Sequence, residues 1–223
     1  QIVFSDANID EAVPFLLKAG LQNAGQTCSA SSRIIIQSSI YSKVEEVLIE
    51  AYKNLSVGPA IEDFDVGPLI SNKQVKTVER FLKFGSDLNK LAEAKINPHS
   101  CSKGSFVAPT LFGDVDPQHI LAQEEIFGPI QVLIPFSDEE EAVKIANGTK
   151  YGLVAGLWTK DGSRQMRMAK SIKAGQIFIN NYGAGGGVEL PFGGVGHSGF
   201  GREKGIEALN SFSILKTVAV NHG

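Results

Sequence analysis

Apolar Val13, Leu16, Leu17 and Leu21 recur at helical spacing, so one face of a helix is expected over this stretch. The pattern breaks at Asn23-Ala24-Gly25, and Arg33-Ile34-Ile35-Ile36 then reads as a buried strand. Tyr41 to Leu55 carries Val44, Val47, Leu48, Ala51 and Leu55 on a second helical face, which Val57-Gly58-Pro59 ends. Gln74 to Leu88 repeats the pattern with Val75, Val78, Phe81 and Leu82. Lys90 to Lys103 is polar and irregular, an expected surface excursion that holds His99 and Cys101. Phe106 to Val115 and Ile130 to Phe136 read as strands. Ser137 and Glu140 match a capping box for a helix ending near Asn147-Gly148. Ala155 to Thr159 reads as a strand, Asp161 as the cap of a helix stopping at Gly175, and Gln176 to Asn180 as the next strand. A short helix over Gly205 to Leu209 and an alternating strand over Ile214 to Val220 complete the chain. Strands and helices that alternate in this way predict a layered α/β domain, and no internal repeat is present.

Composition narrows the function classes. A chain of 223 residues is long enough for one α/β domain with a substantial core. Hydrophobic residues make up 43% and charged residues 20%, and no apolar run reaches membrane-spanning length. A net charge of −3 gives no electrostatic reason to expect nucleic acid or an anionic membrane as partner. Two cysteines are too few for a disulfide framework, so reduced thiols and a cytoplasmic setting are expected. The histidines at 99, 119, 197 and 222 have no metal-ligand spacing, and no metal is expected. The opening Gln1-Ile2-Val3-Phe4 reads as a strand in mid-protein, without an initiator Met or a signal peptide.

The stretch Asn23-Ala-Gly-Gln-Thr-Cys28-Ser-Ala-Ser-Ser-Arg33 puts one thiol among small and polar residues, between a helix and a strand. A nucleophile there has its backbone held by packing on both sides while the sulfur faces a cleft. The plainer alternative is a small buried filler, since free cysteine is often buried. Glycines 194, 196 and 199 satisfy G-x-G-x-x-G, but no strand directly precedes them and no acidic residue follows about twenty positions later. A flexible loop whose glycines let backbone approach a substrate or Cys28 is the better reading.

Two more segments complete a pattern: Gln123-Glu124-Glu125-Ile126-Phe127-Gly128-Pro129, and Leu190-Pro191-Phe192-Gly193-Gly194 continuing to Ser198-Gly199-Phe200-Gly201-Arg202-Glu203. With the Cys28 motif, and in this order, they resemble the aldehyde dehydrogenase superfamily from Gln1 to the C-terminus. The resemblance implies the C-terminal, catalytic-cysteine half of a longer enzyme, following a dinucleotide-binding domain and a glutamate-glycine-glycine motif. It implies a three-layer α/β fold with a mostly parallel sheet, a catalytic domain over 1–209 and a C-terminal strand over 210–223 that joins a neighbouring subunit in a homo-oligomer.

The implied chemistry is oxidation of a small aldehyde to a carboxylic acid with NAD or NADP. The Cys28 thiolate adds to the carbonyl, and the thiohemiacetal becomes a thioester that water hydrolyses. A free thiol, with pKa about 8.5, is mostly protonated at neutral pH and needs a base. In the family that base is the upstream glutamate, and the oxyanion is met by the Cys28 N–H and an upstream asparagine. By resemblance Glu125 binds the nicotinamide ribose hydroxyls, Phe127 packs beside the nicotinamide, and Gln74 approaches the cofactor. Glu203 matches a proton-relay carboxylate, and Arg202 anchors its loop through backbone carbonyls.

Gln22, Gly186 and Phe192 match positions lining the substrate tunnel, made wider and more polar by Gln22, the Gly185-Gly186-Gly187 run and Glu189. Gly196 departs from the lysine that relatives often carry. Without the resemblance, Gln123-Glu124-Glu125 would read as a solvated acidic cluster, Phe127 as core, and Glu203 as a charge at a helix start. The chain alone is expected to be inactive. The alternatives are a folding or oligomerisation module and, with less support, a thiol hydrolase.

Overall fold

The structure, a computed structural model, describes residues 1–97, 104–183 and 187–223. The elements in chain order are β1 (Ile2–Val3), α1 (Ile9–Leu21), β2 (Arg33–Gln37), α2 (Tyr41–Lys53), β3 (Ser56–Val57) and α3 (Asn72–Phe84). Next come β4 (Asn89–Glu93), β5 (Lys95–Ile96), β6 (Thr110–Gly113), α4 (Ile120–Gln123), β7 (Ile130–Phe136) and α5 (Glu139–Ala146). Then follow β8 (Tyr151–Gly152), β9 (Val154–Trp158), α6 (Gly162–Ser171), β10 (Gln176–Ile179), β11 (Val195–Gly196) and α7 (Ala208–Ser211).

Seven strands form one sheet in the order β10-β9-β1-β2-β7-β6-β4, parallel throughout except for β4 at one edge. Successive side chains of a strand point to opposite faces. Ile34, Ile35 and Ile36 are nevertheless all buried, as are Ile130 to Ile134, so the central strands are covered on both faces. Helices α1, α2 and α5 supply that cover, which makes the layered α/β domain that the pattern predicts and the three layers that the resemblance implies.

Several boundaries differ from the sequence expectation. The stretch from Asn89 to Ile96 forms β4 and β5 instead of an irregular excursion, because Ala92 and Ala94 are buried and β4 pairs with β6. His99 and Cys101, in the same predicted excursion, lie outside the described residues. The cap of α5 sits one residue later: Asp138 Oδ1 accepts from Glu141 N (2.9 Å), and Glu141 Oε2 accepts from Ser137 N (2.7 Å). Asp161 caps α6 as expected, accepting from the N–H groups of Ser163 and Arg164, but α6 ends at Ser171. The short helix lies at Ala208–Ser211 rather than 205–209, and no strand forms over 214–220 within this single chain. Ile214, Leu215, Val218 and Val220 of that segment are all exposed.

One buried polar residue ties the layers together. Gln131 of β7 has no exposed surface and accepts from Tyr52 Oη of α2 (2.8 Å). Its Nε2 donates to the carbonyls of Leu16 (3.0 Å) and Ser31 (2.7 Å), joining α1 to the segment after Cys28. A Cβ on Gly20 would stand 2.1 Å from this amide, so glycine is what lets it reach across. Gln131→Leu strands a buried hydroxyl and two carbonyls, and it should lower stability by about 3 kcal/mol in urea unfolding. Tyr52→Phe, which frees only one partner, should cost about 1 kcal/mol.

Candidate active site

Because β2 and β7 are adjacent and parallel, the segments entering them emerge side by side. Cys28 lies in the first and Phe127 in the second, and Tyr151 to Leu153, which enter β9, stand on the same side. The resulting cleft opens at the amino ends of the strands. Cys28, Ser29, Glu125, Phe127, Tyr151 and Ser198 are among the residues that line it.

The first wall turns out of α1 through three consecutive left-handed residues, Asn23 (φ 51°), Ala24 (φ 55°) and Gly25 (φ 73°). Two of these carry side chains, a conformation costing about 1–3 kcal/mol each unless the surroundings enforce it. Here they do. Asn23 Nδ2 donates to the Gln26 carbonyl and Gln26 Nε2 to that of Asn23, while Gln26 Oε1 accepts from Ile70 N. At Gly25 a Cβ would lie 2.2 Å from the Gly128 carbonyl oxygen, so glycine permits the two walls to meet. The turn leaves Cys28 exposed, which removes the buried-filler reading. Among the described residues, no acceptor takes the Cys28 N–H.

The second wall is held by α3. Ser71 caps this helix by accepting from Gln74 N, and Gln74 Nε2 donates to the carbonyls of Ile126 (3.1 Å) and Phe127 (2.9 Å). Gln74 thus supports the loop and does not itself line the cleft. Phe127 has φ 55° and is 40% exposed, so it is not a core residue. Glu124 is tied to Lys150 at 2.8 Å, whereas Glu125 is exposed, lines the cleft and has no hydrogen-bond partner among the described residues.

The glycine-rich segment depends on close approach of backbone to backbone. A Cβ on Gly175 would meet the Gly193 carbonyl at 1.6 Å, and one on Gly193 would meet that of Gly201 at 2.1 Å. Gly175 and Gly193 thus let backbone approach backbone within the loop and against the entry to β10. Arg202 donates to the carbonyls of Gly194 (2.9 Å) and Gly201 (2.8 Å), the anchoring its position suggested.

Cys28, Glu125 and Phe127 therefore come together, while Gln74, Gln22, Phe192 and Glu203 are not among the residues that line this cleft. Glu203 is exposed and pairs with Phe192 through reciprocal backbone bonds of 2.7 Å, well before the α7 helix start. The Phe192 ring stands 5.7 Å from Lys204 Nζ. Gln22 donates to Tyr182 Oη. Gly186 lies outside the described residues. Sequence reasoning missed Tyr182, whose hydroxyl reaches the residue next to Cys28. Its only local signal is a tyrosine at a strand end, since its partner Ser29 is 153 positions away.

Comparison with known proteins bears on this arrangement. The aldehyde dehydrogenase family model matches residues 1–218. Aldehyde dehydrogenase family 2 member B4, mitochondrial, of Arabidopsis thaliana is 39% identical over 97% of this chain and 40% of its own length. Betaine aldehyde dehydrogenase of Brucella anthropi is 38% identical over 100% of this chain and 46% of its own. A Burkholderia cenocepacia structure superposes with a TM-score of 0.97 at 55% identity, over 100% of this chain and 47% of that one. The NAD+ complex of a Bacillus cereus aldehyde dehydrogenase does so with a TM-score of 0.93 at 35% identity, covering 45% of that chain. The chain thus spans less than half the length of these relatives. A match of nearly every residue, with the cysteine motif seated in the fold those relatives share, leads to one assignment: the chain belongs to the aldehyde dehydrogenase family.

Proposed function

We propose that this chain is the C-terminal, nucleophile-bearing part of an NAD(P)-dependent aldehyde dehydrogenase that converts a small aldehyde to its carboxylic acid. One observation carries the reading: an exposed thiol, an unpartnered carboxylate and a half-exposed ring line a single cleft. Cys28 Sγ adds to the carbonyl carbon as the C=O π pair moves onto oxygen, forming a thiohemiacetal. The Cys28 N–H, which has no acceptor among the described residues, would donate to that oxyanion. A bound nicotinamide dinucleotide supplies the hydride acceptor by which the adduct becomes a thioester on Cys28. Water then cleaves the C–S bond, releasing the acid and restoring the thiol.

The residues present fit the nicotinamide end of such a cofactor. The Glu125 carboxylate, without a hydrogen-bond partner among the described residues, can accept from two ribose hydroxyls, and the Phe127 ring offers a flat apolar wall. Gln74 acts through the carbonyls it holds. A relay role for Glu203, and a wide polar substrate pocket from Gln22, Gly186 and Phe192, rest on the resemblance. So does the division into a 1–209 catalytic domain and a 210–223 oligomerisation segment. Exposed Phe212, Ile214 and Leu215 support the latter, since an uncovered apolar strip favours assembly with another copy. That strip supports an assembly role in addition to catalysis, not in place of it. Among the described residues no His or carboxylate hydrogen-bonds Cys28, which disfavours a thiol hydrolase. A cytoplasmic setting rests on the cysteine usage, and no described helix is long and apolar enough to cross a membrane.

The test uses the full-length protein with an aldehyde and NAD. Glu125→Ala should raise the KM for the dinucleotide by about 10²-fold, the equivalent of two lost bonds to a charged group, while Cys28 alkylation stays near its original rate. An unchanged dinucleotide KM would remove Glu125 from the cofactor site.

A further inference from the structure

The hydroxyl of Tyr182 sits at the centre of a polar chain that brackets the nucleophile. It donates to the Ser29 carbonyl (3.1 Å) and reaches Ser29 Oγ (3.3 Å), and it accepts from Gln22 Nε2 (3.2 Å). Ser29 Oγ in turn lies 3.2 Å from Thr27 Oγ1, so both residues flanking Cys28 belong to the chain. Tyr182 and Ser29 are buried whereas Cys28 between these partners is exposed. Burial keeps the phenol above its ordinary pKa range, and the neighbouring Cys28 adds to this, so Tyr182 remains a neutral donor.

An exposed cysteine on a turn has no packing of its own to fix the orientation of its main chain. From this geometry we infer that Tyr182 is a positioning residue for Cys28. Its bond to the Ser29 carbonyl fixes the peptide that follows the nucleophile, and Gln22 fixes Tyr182 from the end of α1. The inference rests on the reading of Cys28 as nucleophile. It extends that reading to a residue that is not among those lining the cleft. Attack on a carbonyl demands alignment of sulfur, carbon and oxyanion donor, and small misplacements cost rate rather than binding. Alkylation by a small freely diffusing reagent demands much less.

The test is Tyr182→Phe in the full-length enzyme, with kcat and aldehyde KM measured beside the iodoacetamide rate at Cys28, followed on its own peptide by mass spectrometry. The expected result is a kcat about 10-fold lower, a KM within about twofold, and a Cys28 alkylation rate within about twofold. Ser29→Ala should then lower kcat less in the Tyr182→Phe background than in the parent, as coupled partners do. If Tyr182→Phe fails to fold, Gln22→Leu removes the other arm and should lower kcat about threefold with the same split. A normal kcat in the variant that folds, even with a lowered melting temperature, overturns the positioning role and leaves the nucleophile assignment intact. Turnover that survives Cys28→Ala overturns the underlying reading instead.

Discussion

Cys28→Ala in the full-length enzyme should abolish aldehyde oxidation, with kcat falling by about 10⁴-fold or more, the scale on which covalent enzymes lose rate when the nucleophile is removed. The thiol lines the cleft with Glu125 and Phe127, and no second cysteine is placed there among the described residues. Its removal eliminates the bond on which both halves of the reaction depend. Dinucleotide affinity should survive, because the ribose and ring contacts assigned to the second wall do not involve sulfur. Cys101→Ala is the matched control and should turn over nearly normally. Steady-state NADH production by the two variants, with dinucleotide binding measured separately, distinguishes loss of chemistry from loss of the fold. Normal turnover by Cys28→Ala would end the covalent mechanism.

The second large effect concerns the 223-residue chain by itself: supplied with a saturating aldehyde and NAD, it should produce no measurable NADH. Among the described residues no carboxylate or imidazole hydrogen-bonds Cys28, so no general base is in place here. Lack of a base costs about 10²–10⁴ in rate, and lack of one oxyanion donor about 10²–10³. Only the Cys28 N–H of the two donors expected in the family belongs to this chain. Glu125 and Phe127 would contact one end of a dinucleotide, too little surface to hold it. Cys28 should still be alkylated, since it is exposed and that chemistry needs only access. NADH formation that disappears in a Cys28→Ala control would show that the machinery assigned to the rest of the enzyme lies within this chain.

Much of the architecture was legible along the chain. Helical periodicity over Val13 to Leu21 and the apolar runs at Ile34–Ile36 and Ile130–Ile134 identified α1, β2 and β7, because burying one stripe or both faces imposes a periodicity that survives in sequence. The terminal caps were less secure, as the displacement from Ser137 to Asp138 shows, since adjacent polar residues offer the same hydrogen-bonding groups. The edge strand β4 was missed, because an antiparallel edge buries few side chains and its polar sequence resembles a loop. The strand expected over 214–220 is absent from this single chain, where its alternating apolar residues find no partner strand.

For the site, the order of three motifs along the sequence was enough to single out Cys28, Glu125 and Phe127 and the chemistry they imply. What sequence could not decide was which end of the sheet they occupy. Ligands in open α/β sheets usually bind at the carboxyl ends of strands, yet here the parallel pairing of β2 with β7 brings the residues together at the amino ends. Nor could it show that Gln74 holds the Phe127 loop through two carbonyls, or that the backbone of Glu203 bridges that of Phe192. Local periodicity determined most of the elements, and the order of the motifs singled out the candidate nucleophile they carry. Tertiary packing alone decided the rest, because left-handed turns, glycine contacts and the Tyr182 bond to Ser29 depend on partners distant in sequence that local periodicity does not encode.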